Sequence, residues 1–147
     1  KSEKEIRYFF SFLQFIKKVT GEATIITSKI AAPFISKIFD KIDADNVNVI
    51  GVPKEIACLI TKEDLEQIDL SEVKQAVIIP GRAFVHQLDA ERILSADGVE
   101  RIVGRGPDTL TIDGELSFDK TDENVIEEEL TQFNDLVDAI NFFGMRI

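Results

Sequence analysis

Three short runs of aliphatic and β-branched residues constrain this chain more than any other feature: Ala23 to Thr27 (Ala-Thr-Ile-Ile-Thr), Val47 to Val52 (Val-Asn-Val-Ile-Gly-Val) and Ala76 to Ile79 (Ala-Val-Ile-Ile). Brief, nearly continuous apolar runs bounded by Gly, Pro and polar residues are the pattern of strands covered on both faces, as parallel sheets require. The intervals between them read as helices. Ser28 suits the N-cap of a helix running to about Ile42, and Pro33, past the first turn, predicts a late start or a kink. Ile56 to Ile60 is apolar again, and Thr61-Lys62-Glu63-Asp64 then opens a short helix. A Thr cap followed by acidic residues answers the unpaired N–H groups and the positive end of the helix dipole.

The two ends of the chain have helical spacing. Ile6, Phe9, Phe10, Leu13, Ile16 and Val19 fall three and four apart along one stripe, with Gly21 placed to stop it. A final helix from near Thr121 carries Ile126, Leu130, Phe133, Val137, Ile140 and Phe143, and Gly144 ends it. Phe9, Phe10, Phe12, Phe15, Phe133, Phe142 and Phe143 fall in these helices and are expected to pack on the sheet. Between Asp89 and Phe118 the turn signals are Asp97-Gly98, Gly104 to Pro107 and Asp113-Gly114. A hairpin with a three-residue loop pairs Ile112 with Leu116 and Leu110 with Phe118, putting all four on one face; a two-residue turn would divide them. The expected fold is one α/β domain over residues 1–147: a mixed, mostly parallel sheet flanked by helices, with a hairpin and a long C-terminal helix.

Composition narrows the function classes. The formal net charge of −10 disfavours nucleic acid and anionic membranes as partners, since both demand a surplus of Lys and Arg, and no apolar run is long enough to span a bilayer. Cys58 is the single cysteine, so this sequence holds no internal disulfide and no multi-cysteine metal site, and a reducing, cytoplasmic setting is expected. The opening Lys1-Ser2-Glu3 suggests a piece cut from a longer protein.

Few residues invite a catalytic reading. Cys58 lies among apolar neighbours, where a thiol behaves as a small hydrophobe. His86, the single histidine, is expected at the surface or in a cap. Gly104-Arg105-Gly106 reads as a turn rather than a dinucleotide fingerprint, because Pro107 follows and no third glycine opens a helix. Asp108, Asp113, Glu115 and Asp119 lack the spacing of a calcium loop. If the sheet is parallel, however, three strand ends converge: Thr27-Ser28, Gly51-Val52-Pro53 and Pro80-Gly81-Arg82. Ligands of open α/β sheets bind at such an edge. Thr27 and Ser28 offer hydroxyls and helix N-terminal amides, Gly81 permits close backbone approach, and Arg82 adds a charged fork. Ordinary capping and turning would account for the same residues.

Several stretches taken together resemble a known family: Glu22 to Ser28, Cys58-Leu59-Ile60-Thr61, Val77 to His86 with its Ile-Pro-Gly-Arg-Ala-Phe-Val block, and Arg105 to Ser117 with Arg-Gly-Pro-Asp-Thr-Leu. They are similar to the C-terminal region of the methanogenesis marker radical SAM proteins, cobalamin-dependent methyltransferases acting on an arginine of methyl-coenzyme M reductase. The likeness runs from about Val19 to Gly144, and related domains behind other radical SAM modules share similar signatures. It implies a domain that holds cobalamin against the radical SAM domain of the same parent chain, with methyl-coenzyme M reductase as protein substrate. SAM and a 4Fe–4S cluster belong to the missing N-terminal part, since one cysteine cannot supply Cys-x-x-x-Cys-x-x-Cys.

The chain also lacks the Asp-x-His-x-x-Gly motif of proteins that ligate cobalt through histidine. The implied cofactor-binding residues are Thr27, Ser28, Leu59, Thr61, Pro80, Gly81, Arg82 and Phe84, with Leu59 against the corrin face and the polar groups near the nucleotide tail. No residue is assigned as catalytic or as a metal ligand. The alternative class is a non-enzymatic interaction domain that docks a partner protein through its acidic surface.

Overall fold

The computed structural model describes residues 13–55, 59–106 and 123–145. The three apolar runs form strands β1 (Ala23–Ser28), β2 (Val47–Val52) and β3 (Ala76–Pro80), joined by a fourth, β4 (Ile102–Gly106). All neighbouring pairs are parallel, in the order β2-β1-β3-β4. Helix α1 spans Ala31–Lys41, α2 Lys62–Glu66, α3 Gln87–Leu94 and α4 Glu123–Gly144, with a 3-10 turn at Leu70–Glu72.

Alternation along the strands makes two cores, one on each face of the sheet. Ala23, Ile25, Ala76 and Ile78 pack with Ile35, Ile38 and Phe39 of α1 and with Phe133, Leu136, Val137 and Ile140 of α4. Ile26, Val77, Ile79 and Val103 pack on the other side with Leu65 of α2 and Ala90, Ile93 and Leu94 of α3. The result is a three-layer α/β/α fold, and it agrees with the α/β class read from the pattern.

The Thr61 cap matches its expected chemistry, whereas the N-cap of α1 is Ile30 rather than the expected Ser28. The Thr61 amide and hydroxyl both donate to Asp64 Oδ2, at 2.9 and 3.1 Å, at the start of α2. Ser28 Oγ accepts from the Ala31 amide at 3.0 Å, but regular helix begins only at Ala31. That late start brings Pro33 into the first turn, where its missing N–H costs nothing. Asp97-Gly98 is a turn, with Gly98 at φ +88°.

Three expectations fail. Gly104-Arg105-Gly106 is not a turn but the greater part of β4, paired with Ile78, Ile79 and Pro80. Gly104 belongs there because the Phe143 ring of α4 covers it so closely that a Cβ would stand 2.3 Å from Cε2. Nor does the first helix reach Gly21: helical structure ends at Gln14 and residues 17–20 are irregular. Asn134 and Asn141 of α4 take over that backbone, accepting from the Lys17, Thr20 and Gly21 amides and donating to the Phe15 and Lys18 carbonyls. Gly21 then meets α4 backbone to backbone, where a Cβ would lie 2.4 Å from Ile140 O. The third failure concerns the aromatics, for Phe15 and Phe142 are 66% and 58% exposed rather than packed on the sheet. The interval after Asp89 also hides a helix, α3.

At the amino edge of the sheet Arg101 is buried and acts as a staple. Its guanidinium donates to the carbonyls of Leu70, Val73, Lys74 and Leu94 and to both Asp97 oxygens. The side-chain bond from Arg101 holds the Asp97 carboxyl below the usual carboxylate range.

Ile6, Phe9 and Phe10, Cys58, the 110–118 hairpin and the acidic set Asp108, Asp113, Glu115 and Asp119 lie outside the described residues. Among the described residues no helix is long and apolar enough to cross a membrane, and no cluster of three or more His, Cys, Asp or Glu side chains is arranged to hold a metal.

Candidate functional site

Because every strand points the same way, the three loops grouped from sequence do share the carboxyl edge of the sheet. Thr27 and Ser28 stand opposite Gly51 and Val52, and Pro80 opposite Gly106. The chain steps from β1 outward to β2, then returns across to β3, so the direction of winding reverses between β1 and β3. Open α/β sheets take ligands beyond the strand ends at such a reversal.

The predicted residues divide into two groups there. Thr27 and Ser28 are fully buried, and Ser28 Oγ is engaged with the Ala31 amide. Thr61 spends its amide and hydroxyl protons on Asp64. Pro80 is buried as the last residue of β3, and a Cβ on Gly81 would stand 2.6 Å from Gly106 O. The close approach that glycine permits at position 81 is therefore to β4. These five residues build the floor and hold the loops in place.

Leu59, Arg82 and Phe84 instead face outward. Leu59 is 55% and Phe84 85% exposed, and the Phe84 amide donates to Ile60 O at 3.1 Å, which ties the two loops together. Ile30 and Phe34, at the start of α1, and Leu88, in the first turn of α3, are further exposed apolar side chains at this edge.

Sequence reasoning missed Arg105. Its guanidinium, near the end of β4, donates to the carbonyls of Gly81, Ala83 and Val85 and, through Nε, to Gln87 Oε1 at 3.1 Å. Gln87 in turn donates to Val103 O at 2.8 Å. One side chain thus gathers the loop that carries Arg82 and Phe84. Only a positive charge inside a glycine pair hinted at it.

His86 caps α3, its Nδ1 accepting from the Leu88 amide at 3.2 Å, as a capping histidine was expected to do. In the neutral ring that bond leaves the proton on Nε2, so the imidazole offers a donor and no lone pair for a metal.

A cleft of about 400 Å³ lies elsewhere, at the amino edge, between the 13–19 segment and the end of α1. Its lining includes Leu13, Ile16, Val19, Ile42 and Ala44 together with Lys17, Lys18 and Lys41, and it shares no residue with the strand-end loops.

No protein-family model matches the chain, and no curated protein matches it. A corrin needs a broad apolar surface with a few placed polar groups. At this edge Leu59 and Phe84 offer exposed apolar side chains and Arg82 an exposed cation, residue types compatible with such a group.

Proposed function

We propose that this chain holds cobalamin at the carboxyl edge of its sheet, as the C-terminal domain of a cytoplasmic radical SAM methyltransferase that methylates an arginine carbon of methyl-coenzyme M reductase. The observation that carries the reading is the placement of exposed apolar side chains. Of the nine large ones among the described residues, five (Ile30, Phe34, Leu59, Phe84 and Leu88) lie on the loops and first helical turns around the β1/β3 reversal. A water-facing concentration of this kind at a ligand-binding edge favours an apolar occupant over a purely solvated surface.

Each residue has a separate task in this reading. Leu59 and Phe84 cover a corrin face and keep water from it. Arg82 meets an anionic group such as the phosphate of the nucleotide tail. Ser28, through its bond from the Ala31 amide, and Thr61, through its cap, hold the loops, and Gly81 lets the Arg82 loop lie against β4. Bound cobalamin would supply the methyl group; the chain's own work is to orient it and to exclude competing reactions. The single histidine is engaged as the cap of α3 through Nδ1.

Anaerobic titration of the chain with hydroxocobalamin, followed by visible spectrum and calorimetry, tests the proposal. Saturable one-to-one binding is the expected result. Failure to bind, both by this chain and by the parent protein that contains it, would refute the reading and favour a protein partner on the same apolar edge.

A further inference from the structure

Exposure alternates along the loop after β3: Arg82 is exposed, Ala83 buried, Phe84 exposed, Val85 buried and His86 exposed. The same period of two governs the backbone, because the carbonyls of Gly81, Ala83 and Val85 all accept from Arg105. The segment is a run of turns and bends, closed by the Ala83 amide donating to Pro80 O and the Val85 amide donating to Ala83 O. With the three carbonyls of Gly81, Ala83 and Val85 held on one guanidinium and Ala83 and Val85 buried, Arg82, Phe84 and His86 are the exposed side chains of a segment fixed from behind. We propose that Arg105 is the positioning residue of a recognition comb, in which Arg82, Phe84 and His86 together read one bound ligand.

The comb presents a guanidinium, an aromatic face and, from His86 Nε2, a single N–H donor. That combination suits a large flat apolar molecule with an anionic or carbonyl-bearing periphery. Resting on the cobalamin reading, the inference adds His86 as a ligand-contacting donor to the amide-bearing rim of the corrin, and it assigns Arg105 to the comb without contact of its own. The loop is held independently of any ligand: the amides of Ala83, Phe84 and Val85 donate to Pro80, Ile60 and Ala83 carbonyls. A rigid comb binds more tightly than a loose one, because less conformational freedom is lost on association.

The experiment pairs hydrogen exchange with hydroxocobalamin titration on the whole chain, for the wild type, Arg105→Met, Phe84→Ala and His86→Ala. Arg105→Met is expected to speed exchange at the 83–85 amides while β1 and β3 stay protected, and to weaken affinity about tenfold or more. Phe84→Ala is expected to weaken binding with loop exchange unchanged, separating contact from positioning. His86→Ala is expected to weaken binding with the 83–85 amides still protected, whereas His86→Gln, which retains a side-chain donor, recovers part of the loss. Unchanged exchange at 83–85 in Arg105→Met would overturn the positioning role, and faster exchange with unchanged affinity would overturn the comb. Absence of binding both by the wild-type chain and by the parent protein that contains it defeats the cobalamin reading itself, and with it the comb as a reader of that ligand; the exchange data then still decide what Arg105 holds.

Discussion

Replacing Gly104 with Ala is the sharpest test of how α4 closes onto the sheet. An added Cβ would lie 2.3, 2.4 and 2.7 Å from Cε2, Cδ2 and Cζ of Phe143, where ordinary contact begins near 3.4 Å. Something must withdraw by about an ångström, and in a close-packed interior the half-buried ring gives up contacts as it does so. Overpacking of this kind costs about 1–3 kcal/mol. For a chain of this size that lowers the melting temperature by about 3–10 °C.

Urea unfolding and calorimetry would measure the loss, and a double-mutant cycle with Phe143→Ala would locate it. With the ring removed, Gly104→Ala should be neutral within about 0.5 kcal/mol, leaving a coupling energy of about 1 kcal/mol or more. An equal cost in both backgrounds would refute the packing argument. Gly21→Ala is the contrasting case, since its Cβ would meet Ile140 O and Asn141 Cα, and no side-chain truncation relieves a backbone clash.

Arg101→Met should destabilise by about 2–4 kcal/mol in urea unfolding, since it strands four backbone carbonyls and the Asp97 carboxylate around a buried site. Asp97, with its folded-state pKa lowered chiefly by Arg101, contributes stability that is complete above the ordinary carboxylate value of about 4 and is lost as pH falls through the lowered native value. Asp97→Asn should flatten that part of a stability profile on the acid side of the ordinary carboxylate value, and an unchanged slope would exclude the linkage. In hydroxocobalamin titrations Leu59→Asp is expected to abolish retention and Leu59→Ala to weaken it about tenfold, whereas equal affinity in both would remove Leu59 from the site.

The strand-end site was legible because buried strands announce themselves locally. Val47 to Val52 matches β2 at both ends, and Ala23 to Thr27 and Ala76 to Ile79 each fall one residue short of β1 and β3. Thr61 and Asp64 could be paired from spacing alone, since a capping box spans only three residues. Arg105 could not, because the carbonyls it gathers lie 20 to 24 residues away and carry no side-chain signature. Gly81 was tied to a ligand in the sequence, whereas the folded chain shows β4 occupying that close approach. The first helix was overextended because apolar spacing at Leu13, Ile16 and Val19 persists after the helix ends. Asn134 and Asn141, more than a hundred residues distant, decide that stretch instead.

By itself the sequence determined the α/β class, three of the four strands, and the caps at Thr61 and His86. Each is written in residues within a few positions of one another, as periodicity, hydrogen-bonding side chains or composition. Only the tertiary structure decided that the strands run parallel in the order β2-β1-β3-β4 and that Gly104 to Gly106 is a strand beneath Phe143. It also decided which of the eight predicted site residues face outward. Those outcomes depend on which distant groups meet across the sheet, and a side chain's exposure is a property of the neighbours that cover it rather than of its own type.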